Sequence, residues 1–315
     1  MGKITSHMKK QIELLTKTFK NPQAVASLYH WLETELAYTS NHIEGNTLTR
    51  QETALVISEG ITKGEKPLKD YLEAKNHAEA FRYILNELSK NKRISQDDIL
   101  KIHSIVLKGI NDAFAGRYRN VPVRIKGSSV ILPNPVKVSD LMMSFEEYLQ
   151  TEKDVISRAI MGHFKFVSIH PFIDGNGRVG RLIMNLILLQ NGLWPIIIRP
   201  RDRKKYISSI EKGQLTQDTT AYEAFMYKAL ERSFETYVDM FYPKTDETKL
   251  LKIGQFAKAV GVPISTVRYW LRVGKLIPVA KSDGDFMLFS LEQVKSLKEN
   301  DVDIDSNHYL VWPER

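Results

Sequence analysis

Apolar residues recur every three or four positions over most of the first 240 residues, the spacing that places them on one face of an α-helix. The first clear run opens at Pro22 and ends at Gly45-Asn46, a typical helix C-terminus. A second is predicted to begin at Thr49, where Thr-Arg-Gln-Glu resembles a capping box, and to end near Gly60. A helix is predicted to begin at Ser95, with Ile99, Ile102, His103 and Val106 on one face. The other predicted helical stretches are 67–88, one that begins at Ser139, 155–167, one that follows the motif loop and ends near Gln190, and 204–241.

Two segments interrupt this pattern. Residues 116–138 combine β-branched residues with Gly and Pro, which predicts a short β-hairpin. Pro243 to Thr248 is a polar break that predicts a domain boundary. We therefore expect a mainly α-helical protein with an N-terminal helical region (1–94), a core (95–242) and a small C-terminal domain (243–315).

The C-terminal domain shows the pattern of a helix-turn-helix. Ala257 suits the first helix, Gly261 the turn, and Ser265 the cap of the second helix. The residues that follow resemble the wing of MerR-like winged helices. Residues 249–298 carry 9 basic and 3 acidic residues, and Arg268 and Arg272 fall on the second helix, which favours DNA contact. Residues 299–315 carry 5 acidic and 1 basic residue, so docking of a protein stays equally open.

Composition narrows the class of protein. The chain has no cysteine, which excludes disulfides, thiolate catalysis and cysteine-based metal sites. It shows no signal peptide and no apolar run long enough to span a bilayer, so we expect a cytoplasmic protein with no membrane partner. The net charge is +8, of which residues 243–315 supply only +1. The excess therefore lies with residues 1–242, where it can attract nucleotides or acidic targets or be an ordinary solvated surface.

The strongest chemical signal is His170-Pro-Phe-Ile-Asp-Gly-Asn-Gly-Arg-Val-Gly-Arg181. The glycines around Asn176 allow an anion-binding nest of backbone amides at the start of a helix. Arg178 and Arg181 lie three residues apart, near one helix face, and suit a polyphosphate. Asp174 can hold Mg²⁺, and His170 can act as a general base near neutral pH.

Each of these residues also has an ordinary structural interpretation, such as a buried histidine, a turn or a solvated arginine. Their combination within twelve residues is what indicates phosphoryl-type transfer. The sequence contains neither a Walker A loop nor a protein-kinase catalytic set, so the nucleotide site is of another kind.

The motif resembles the signature of the Fic family at every position, and the resemblance extends over about residues 10–240. It implies transfer of AMP from Mg-ATP to a Ser, Thr or Tyr hydroxyl of a target protein. His170 would be the catalytic base, and Asp174 would hold Mg²⁺. Phe172 would anchor the loop, and Arg181 would bind the γ-phosphate. The implied ATP-binding residues are Gly175, Asn176, Gly177, Arg178, Val179, Gly180 and Arg181, with Tyr206 and Ile207 (and, more weakly, Gln214) near the adenine.

The resemblance assigns functions to two further segments. Residues 127–135 resemble the family's flap, which docks a target by main-chain pairing; its contact residues here would be Ser129, Val130, Ile131 and Leu132. An ordinary surface hairpin is the alternative. Ser40-Asn-His-Ile-Glu-Gly resembles the family's inhibitory motif, in which Glu44 would pair with Arg181 and block productive ATP binding. A plain helix end is the alternative there.

The sequence therefore predicts an autoinhibited protein adenylyltransferase that uses Mg²⁺ and ATP and that also modifies itself. Three alternatives remain open: another phosphate-containing donor, a toxin, and a DNA-binding regulator with an idle Fic domain. A homodimer is also left open as a partner state.

Overall fold

The structure is a computed structural model that describes residues 4–18, 20–61, 65–90, 93–242, 250–281 and 286–299. The chain divides into two compact units, Met1–Phe241 and Tyr242–Arg315. The N-terminal helical region and the core that the sequence predicts, 1–94 and 95–242, both lie in the first unit up to Phe241. The predicted linker at residues 243–248 and most of the acidic segment 299–315 lie outside the described residues.

The described part of the first unit is helical. Its helices are α1 (Ser6–Thr18), α2 (Pro22–Ile43), α3 (Arg50–Glu59), α4 (Leu68–Tyr83), α5 (Gln96–Leu107), α6 (Val138–Thr151), α7 (Val155–Ile169), α8 (Asn176–Gln190), α9 (Arg203–Thr216) and α10 (Thr220–Phe241). A π-helical turn, Ile84–Leu88, extends α4, and 3₁₀ turns at Pro135–Lys137 and Pro200–Asp202 precede α6 and α9.

The helix ends follow the local signals of the sequence. Thr49 forms a full capping box with Glu52, and Ser95 does the same with Asp98. Gly60 ends α3 in the left-handed region with φ 68°. One predicted helix is in fact two, because Gln217 adopts a left-handed conformation (φ 60°) and separates α9 from α10. Local capping chemistry thus explains these boundaries before any tertiary contact is considered.

Helix α8 is the centre of the first unit. Every residue from Arg178 to Leu189 is buried, and α8 packs against α7, α2, α4 and α5. Asn185 is the polar exception in its apolar stretch, and its amide bonds both the N–H and the carbonyl of Ile196. Because α8 is enclosed along its length by four neighbouring helices, its N-terminal turn is held in a fixed position.

The predicted β-hairpin differs from the observed structure. Residues 116–134 are all described, and they form an extended loop that turns at Gly127 (φ 78°) without a ladder between two strands. The physical reason lies in its hydrogen bonds, which run to side chains and to other elements instead of across a strand pair. Ser129 N–H, for example, donates to Glu211, and Val130 N–H donates to Ser128 Oγ.

The second unit contains α11 (Ile253–Val260), α12 (Ile264–Arg272), α13 (Leu291–Glu299) and the short strands β1 (Leu251–Lys252), β2 (Ala280–Lys281) and β3 (Met287–Phe289). The strands form an antiparallel sheet in the order β1-β3-β2. Gly261 makes the turn between α11 and α12, as expected. The expected cap at Ser265 is wrong: Pro263 occupies the N-cap position, because its extended backbone (φ −62°, ψ 150°) already starts the helix one residue before Ile264.

Among the described residues, no helix has the length and apolar character that a membrane-spanning segment needs.

Candidate active site

His170 ends α7 in a left-handed conformation that is unusual for a residue other than glycine (φ 52°). Its Nδ1 lies 3.3 Å from the carbonyl oxygen of Val167. Because a carbonyl can only accept, Nδ1 carries the proton and Nε2 keeps a free lone pair. Burial lowers the pKa of His170 below its ordinary value, and the charge of Arg119 contributes in the same direction. The ring is therefore a neutral base near pH 7.

Arg119 holds the backbone of this loop in place. It is 3% exposed, and it is surrounded by carbonyl groups instead of carboxylates. Its Nε donates to His170 O at 2.8 Å, and its Nη2 donates to Pro133 O at 2.7 Å. Its backbone N–H donates to Pro171 O. The side chain and backbone of Arg119 thus link His170 and Pro171 to Pro133, in the distal part of the segment 116–138.

The loop is anchored in the interior by an aromatic stack. Phe172 is fully buried and lies parallel to the His103 ring, with centroids 3.6 Å apart. His103 accepts a hydrogen bond from Gly116 N–H at Nδ1, and its Nε2 lies 3.1 Å from Asp174 O. Burial lowers the pKa of His103 to about 4, so this ring stays neutral and keeps that orientation. Phe172 therefore anchors the loop in the core.

The start of α8 has the geometry of an anion-binding nest. Asn176 bonds the backbone of Phe172 twice, through Oδ1 from the N–H and through Nδ2 to the carbonyl. Gly175 is left-handed (φ 80°), and a side chain at this position would contact His103. These bonds close the loop, so that the first-turn N–H groups of α8 face outward at the positive end of the helix dipole.

Asp174 and Glu73 enclose Arg178. Arg178 is 2% exposed; its Nη1 lies 2.9 Å from Glu73 Oε1, and its Nη2 lies 3.2 Å from Asp174 Oδ1. Glu73, on α4, also accepts from Asn46 Nδ2. The sequence placed Arg178 against phosphate, whereas in the structure its two terminal nitrogens bond these two carboxylates. Arg178 thus orients Asp174 from below.

Asp174 is suited to a magnesium ion. Burial opposes its ionisation, but the charge of Arg178 and the N–H of Gly175 outweigh this effect and lower its pKa. Its carboxylate is 45% exposed, so an oxygen remains accessible. No group of three or more potential ligands lies together among the described residues. A single protein carboxylate, completed by phosphate oxygens and water, is the usual way in which Mg²⁺ accompanies a nucleotide.

Arg181 lies on the other side of the nest and is bound to α2. Its Nη2 donates to Glu44 Oε1 at 2.7 Å and to Ser40 O at 2.9 Å, and its Nε donates to Ser40 Oγ at 3.0 Å. Burial disfavours the guanidinium charge, but Glu44 more than compensates and raises the pKa of Arg181. A Cβ atom on Gly177 would clash with the Glu44 carboxylate. Glu44 thus lies directly over the nest.

A buried hydrogen-bond chain supports Arg181 from behind. Tyr222 donates to Ile160 O and accepts from His163 Nδ1–H, so His163 Nε2 accepts from Tyr206 Oη at 2.8 Å. The charge of Arg181 also acts on the Tyr206 hydroxyl, where it partly opposes the effect of burial on the pKa of Tyr206. Burial lowers the pKa of His163 to about 3 and raises that of Tyr206 to about 12, so both groups stay neutral. Tyr206, predicted to contact adenine, is 1% exposed, and its hydroxyl lies behind Arg181 in this chain.

His170, Gly177, Arg181 and Glu44 line one cleft of about 130 Å³. Its lining includes Glu44, Ile125, Ser128, Val167, His170, Gly177, Arg181, Tyr206, Ile207, Ile210, Glu211 and Gln214. Val179 and Gly180, which the sequence included among the ATP-binding residues, face the interior instead: Val179 is fully buried, and Gly180 packs on Phe166 and His163. The flap stretch lies at the cleft, with Ser129 bonded to Glu211 and Ile131 94% exposed.

The sequence interpretation missed four residues of the site: Glu73, Arg119, His163 and Glu211. Arg119 and His163 lie in segments that were compared with the Fic family, but no role was given to either. Their partners are 51 and 43 residues away along the chain, so no local spacing indicates the contact. Arg268 and Arg272 belong to the second unit, where both are exposed on α12.

Comparison with known proteins identifies this arrangement. Residues 93–188 match the model of the Fic/DOC family. The chain is thus similar to Fic/DOC family proteins over this stretch. It is 34% identical over 206 residues to the protein adenylyltransferase Fic of Nematostella vectensis, and the aligned part covers 64% of this chain and 48% of that protein. The chain thus spans about half the length of the curated relatives it matches.

Solved structures agree with the Fic assignment. A Fic domain containing signaling protein from Bacteroides thetaiotaomicron superposes with a TM-score of 0.66 at 25% identity, over 73% of this chain and 95% of that one. Fic-1 from Caenorhabditis elegans superposes with a TM-score of 0.66 at 27% identity, over 75% and 72%. Residues 252–286, outside the Fic domain, match the MerR family of regulatory proteins.

Proposed function

We propose that this protein is a protein adenylyltransferase, which transfers AMP from Mg-ATP to a Ser, Thr or Tyr hydroxyl of a target protein. The observation that carries the proposal is the position of His170, whose ring lines the same cleft as Gly177 and Arg181 at the start of α8. A neutral base thus lies beside a phosphate-binding helix terminus. The names of the curated relatives agree with this activity.

The reaction follows from these groups. The target hydroxyl donates its proton to Nε2 of His170 as its oxygen attacks the α-phosphorus of ATP. A new P–O bond forms, the bond to the β-phosphate oxygen breaks, and pyrophosphate leaves with its electron pair. The first-turn amides of α8 and the guanidinium of Arg181 bind the phosphate oxygens and position the nucleotide. Ile207, Ile210 and Gln214 line the part of the cleft available to the base and ribose.

Asp174 would hold the magnesium ion. When bound, the ion supplies positive charge that neutralises the phosphate oxygens. Arg178 and Gly175 N–H keep the carboxylate ionised and oriented for this purpose. Lys69, whose Nζ is 4.0 Å from Asp174 Oδ2, is 56% exposed and can move away when a cation arrives.

Glu44 would be an inhibitor built into the chain. In the structure, its carboxylate occupies the space above Gly177 and pairs with Arg181. An anion bound at the same nest must displace it, since two negative groups cannot share one guanidinium and one set of amides without strong repulsion. Productive ATP binding would therefore require Glu44 to leave, and a signal that moves the end of α2 would activate the enzyme.

The test is His170→Ala, assayed by mass spectrometry for an added AMP on the protein itself after incubation with Mg-ATP. Loss of a general base typically lowers the rate by ~10²–10⁴-fold. The variant should still bind ATP, because the nest and Arg181 are separate groups. Transfer at the wild-type rate would end the mechanism. Addition of a different mass from another nucleotide would redirect the proposal to another donor.

DNA binding by the second unit is a second candidate function, since it matches MerR regulatory proteins and exposes two arginines on α12. Arg268→Ala should then weaken salt-dependent retardation of duplex DNA. If the protein retards no duplex at low salt, docking of a protein is the better explanation of this unit.

A further inference from the structure

We propose that the target segment modified at this site is an acidic one, attracted by the uncompensated positive charge of residues 116–138. The inference rests on the adenylyltransferase function proposed above and names the class of its substrate. The segment contains five basic residues, Arg117, Arg119, Arg124, Lys126 and Lys137, and no aspartate or glutamate. A run of 23 residues without a single acid stands out in a chain with 37 of them.

Four of these five charges point to solvent. Arg117, Arg124, Lys126 and Lys137 are all exposed, and none of them forms an ion pair within the described part of the chain. Arg119 is different, because it is buried and its guanidinium donates hydrogen bonds to backbone carbonyls. The segment therefore presents four positive charges that no neighbouring carboxylate neutralises, which is the condition for attracting an acidic partner.

The location of the charges connects them with the reaction. Ile125 and Ser128 line the cleft together with His170, and Arg124 and Lys126 are the immediate neighbours of Ile125 in the chain. The distal part of the segment is fixed to the catalytic loop through Arg119, which bonds both Pro133 O and His170 O. A protein hydroxyl that reaches Nε2 of His170 must therefore bring its flanking residues past this segment.

The carboxylate nearest to the segment does not cancel its charge. Glu211 lines the cleft, and its Oε1 accepts from Ser128 Oγ at 2.7 Å and from Ser129 N–H at 3.2 Å. It thus fixes the turn of the loop with neutral donors and leaves Arg124 and Lys126 unpaired. Beside these charges, Ile131 is 94% exposed and Val136 is 85% exposed. The surface fits an extended segment with acidic residues and an apolar side chain near the hydroxyl.

Synthetic peptides provide the probe. Three peptides of equal length would each contain the same central segment, with one Ser, one Thr, one Tyr and an adjacent leucine. They would differ only in their flanking residues, which would be acidic, neutral or basic. The kcat/KM for AMP transfer would be measured with wild type and with Glu44→Gly. We expect the acidic peptide to exceed the neutral one by about tenfold at low ionic strength, the lower end of electrostatic steering effects. High salt should reduce the difference.

The charge-reversal variant Arg124→Glu with Lys126→Glu should remove or invert the preference while the KM for ATP stays unchanged. Lys9→Glu with Lys10→Glu is the matched control: it makes the same charge change at two exposed positions of α1 and should keep the preference. An equal kcat/KM for all three peptides would overturn the inference. So would a charge reversal that changes the KM for ATP and leaves the peptide preference intact.

The two proposals can fail separately. If the enzyme modifies itself but none of the peptides, the acidic-target inference is wrong and the adenylyltransferase function stands. If it modifies neither itself nor any peptide while it still binds ATP, both are overturned.

Discussion

The two sides of the α8 N-terminus use the same kind of residue in opposite ways. On one side, Arg178 is enclosed at 2% exposure between two carboxylates, Glu73 and Asp174. On the other side, Arg181 is bonded to two neutral oxygens of Ser40 and to one carboxylate, Glu44, which is 37% exposed. The first arginine is a permanent structural cation, whereas the second has one replaceable anionic ligand. That difference fits the proposed inhibition, in which a phosphate group would displace Glu44 from Arg181.

The largest expected effect follows from breaking the enclosed side. Glu73→Gln should lower the free energy of unfolding by about 3–5 kcal/mol, because it leaves Arg178 buried with a single partner. Urea denaturation would measure it. Glu35→Gln is the matched control, since the Arg50 partner of Glu35 is 59% exposed and the loss there should be about 1 kcal/mol or less. Equal losses in the two variants would show that Arg178 is not the enclosed cation described above.

Arg119 tests whether the catalytic loop depends on the same kind of structural cation. Arg119→Gln should cost about 1–3 kcal/mol of stability, since several buried carbonyls lose their donor. It should also shift the pH profile of transfer, measured in the Glu44→Gly background. Burial and the charge of Arg119 lower the pKa of His170. With Arg119 intact, the rate should therefore fall only as the pH drops below 6.5, the ordinary pKa of a histidine.

Removal of the Arg119 charge raises the pKa of His170, so the acidic limb of the profile should move to higher pH. Arg119→Lys keeps the positive charge but loses the planar guanidinium group. The acidic limb of its pH profile should therefore stay in place while its rate of transfer falls. A limb that does not move in Arg119→Gln would contradict the electrostatic part of this account.

The smallest expected effect concerns the chain of hydroxyls behind Arg181. Tyr206→Phe should cost about 0.5–1.5 kcal/mol, the usual net value of one hydrogen bond, and should raise the KM for ATP several-fold because Arg181 loses one of its supports. Tyr222→Phe is the control: it removes a hydroxyl from the same chain without touching Arg181. A similar rise in KM for both variants would show that the effect is not transmitted through Arg181.

The sequence predicted those features that depend on local chemistry. The capping box at Thr49, the start of a helix at Ser95 and the turn at Gly261 were predicted correctly, because each is decided within a few residues. The juxtaposition of Ser40 and Glu44 with Arg181 was predicted only through the family resemblance, since the interacting residues are 137 and 141 positions apart.

The contacts that the sequence did not predict have a common physical origin. Spacing places Arg178 and Arg181 near one helix face but does not say which neighbours surround that face. Glu73 and Asp174 surround Arg178, so its donors are used internally. Tyr206, predicted to contact adenine, has its hydroxyl bonded to His163, 43 residues away along the chain. Tertiary packing, which the pattern does not contain, decides such assignments.

The central claim is that Glu44 is the replaceable ligand of Arg181, and one measurement tests it most directly. The initial rate of self-adenylylation with Mg-ATP would be compared in wild type, Glu44→Gly and Glu44→Gly with Arg181→Ala. We expect the single variant to react faster than wild type at every ATP concentration, and the second substitution to abolish the gain. A Glu44→Gly protein that folds normally and transfers AMP no faster than wild type would contradict the claim.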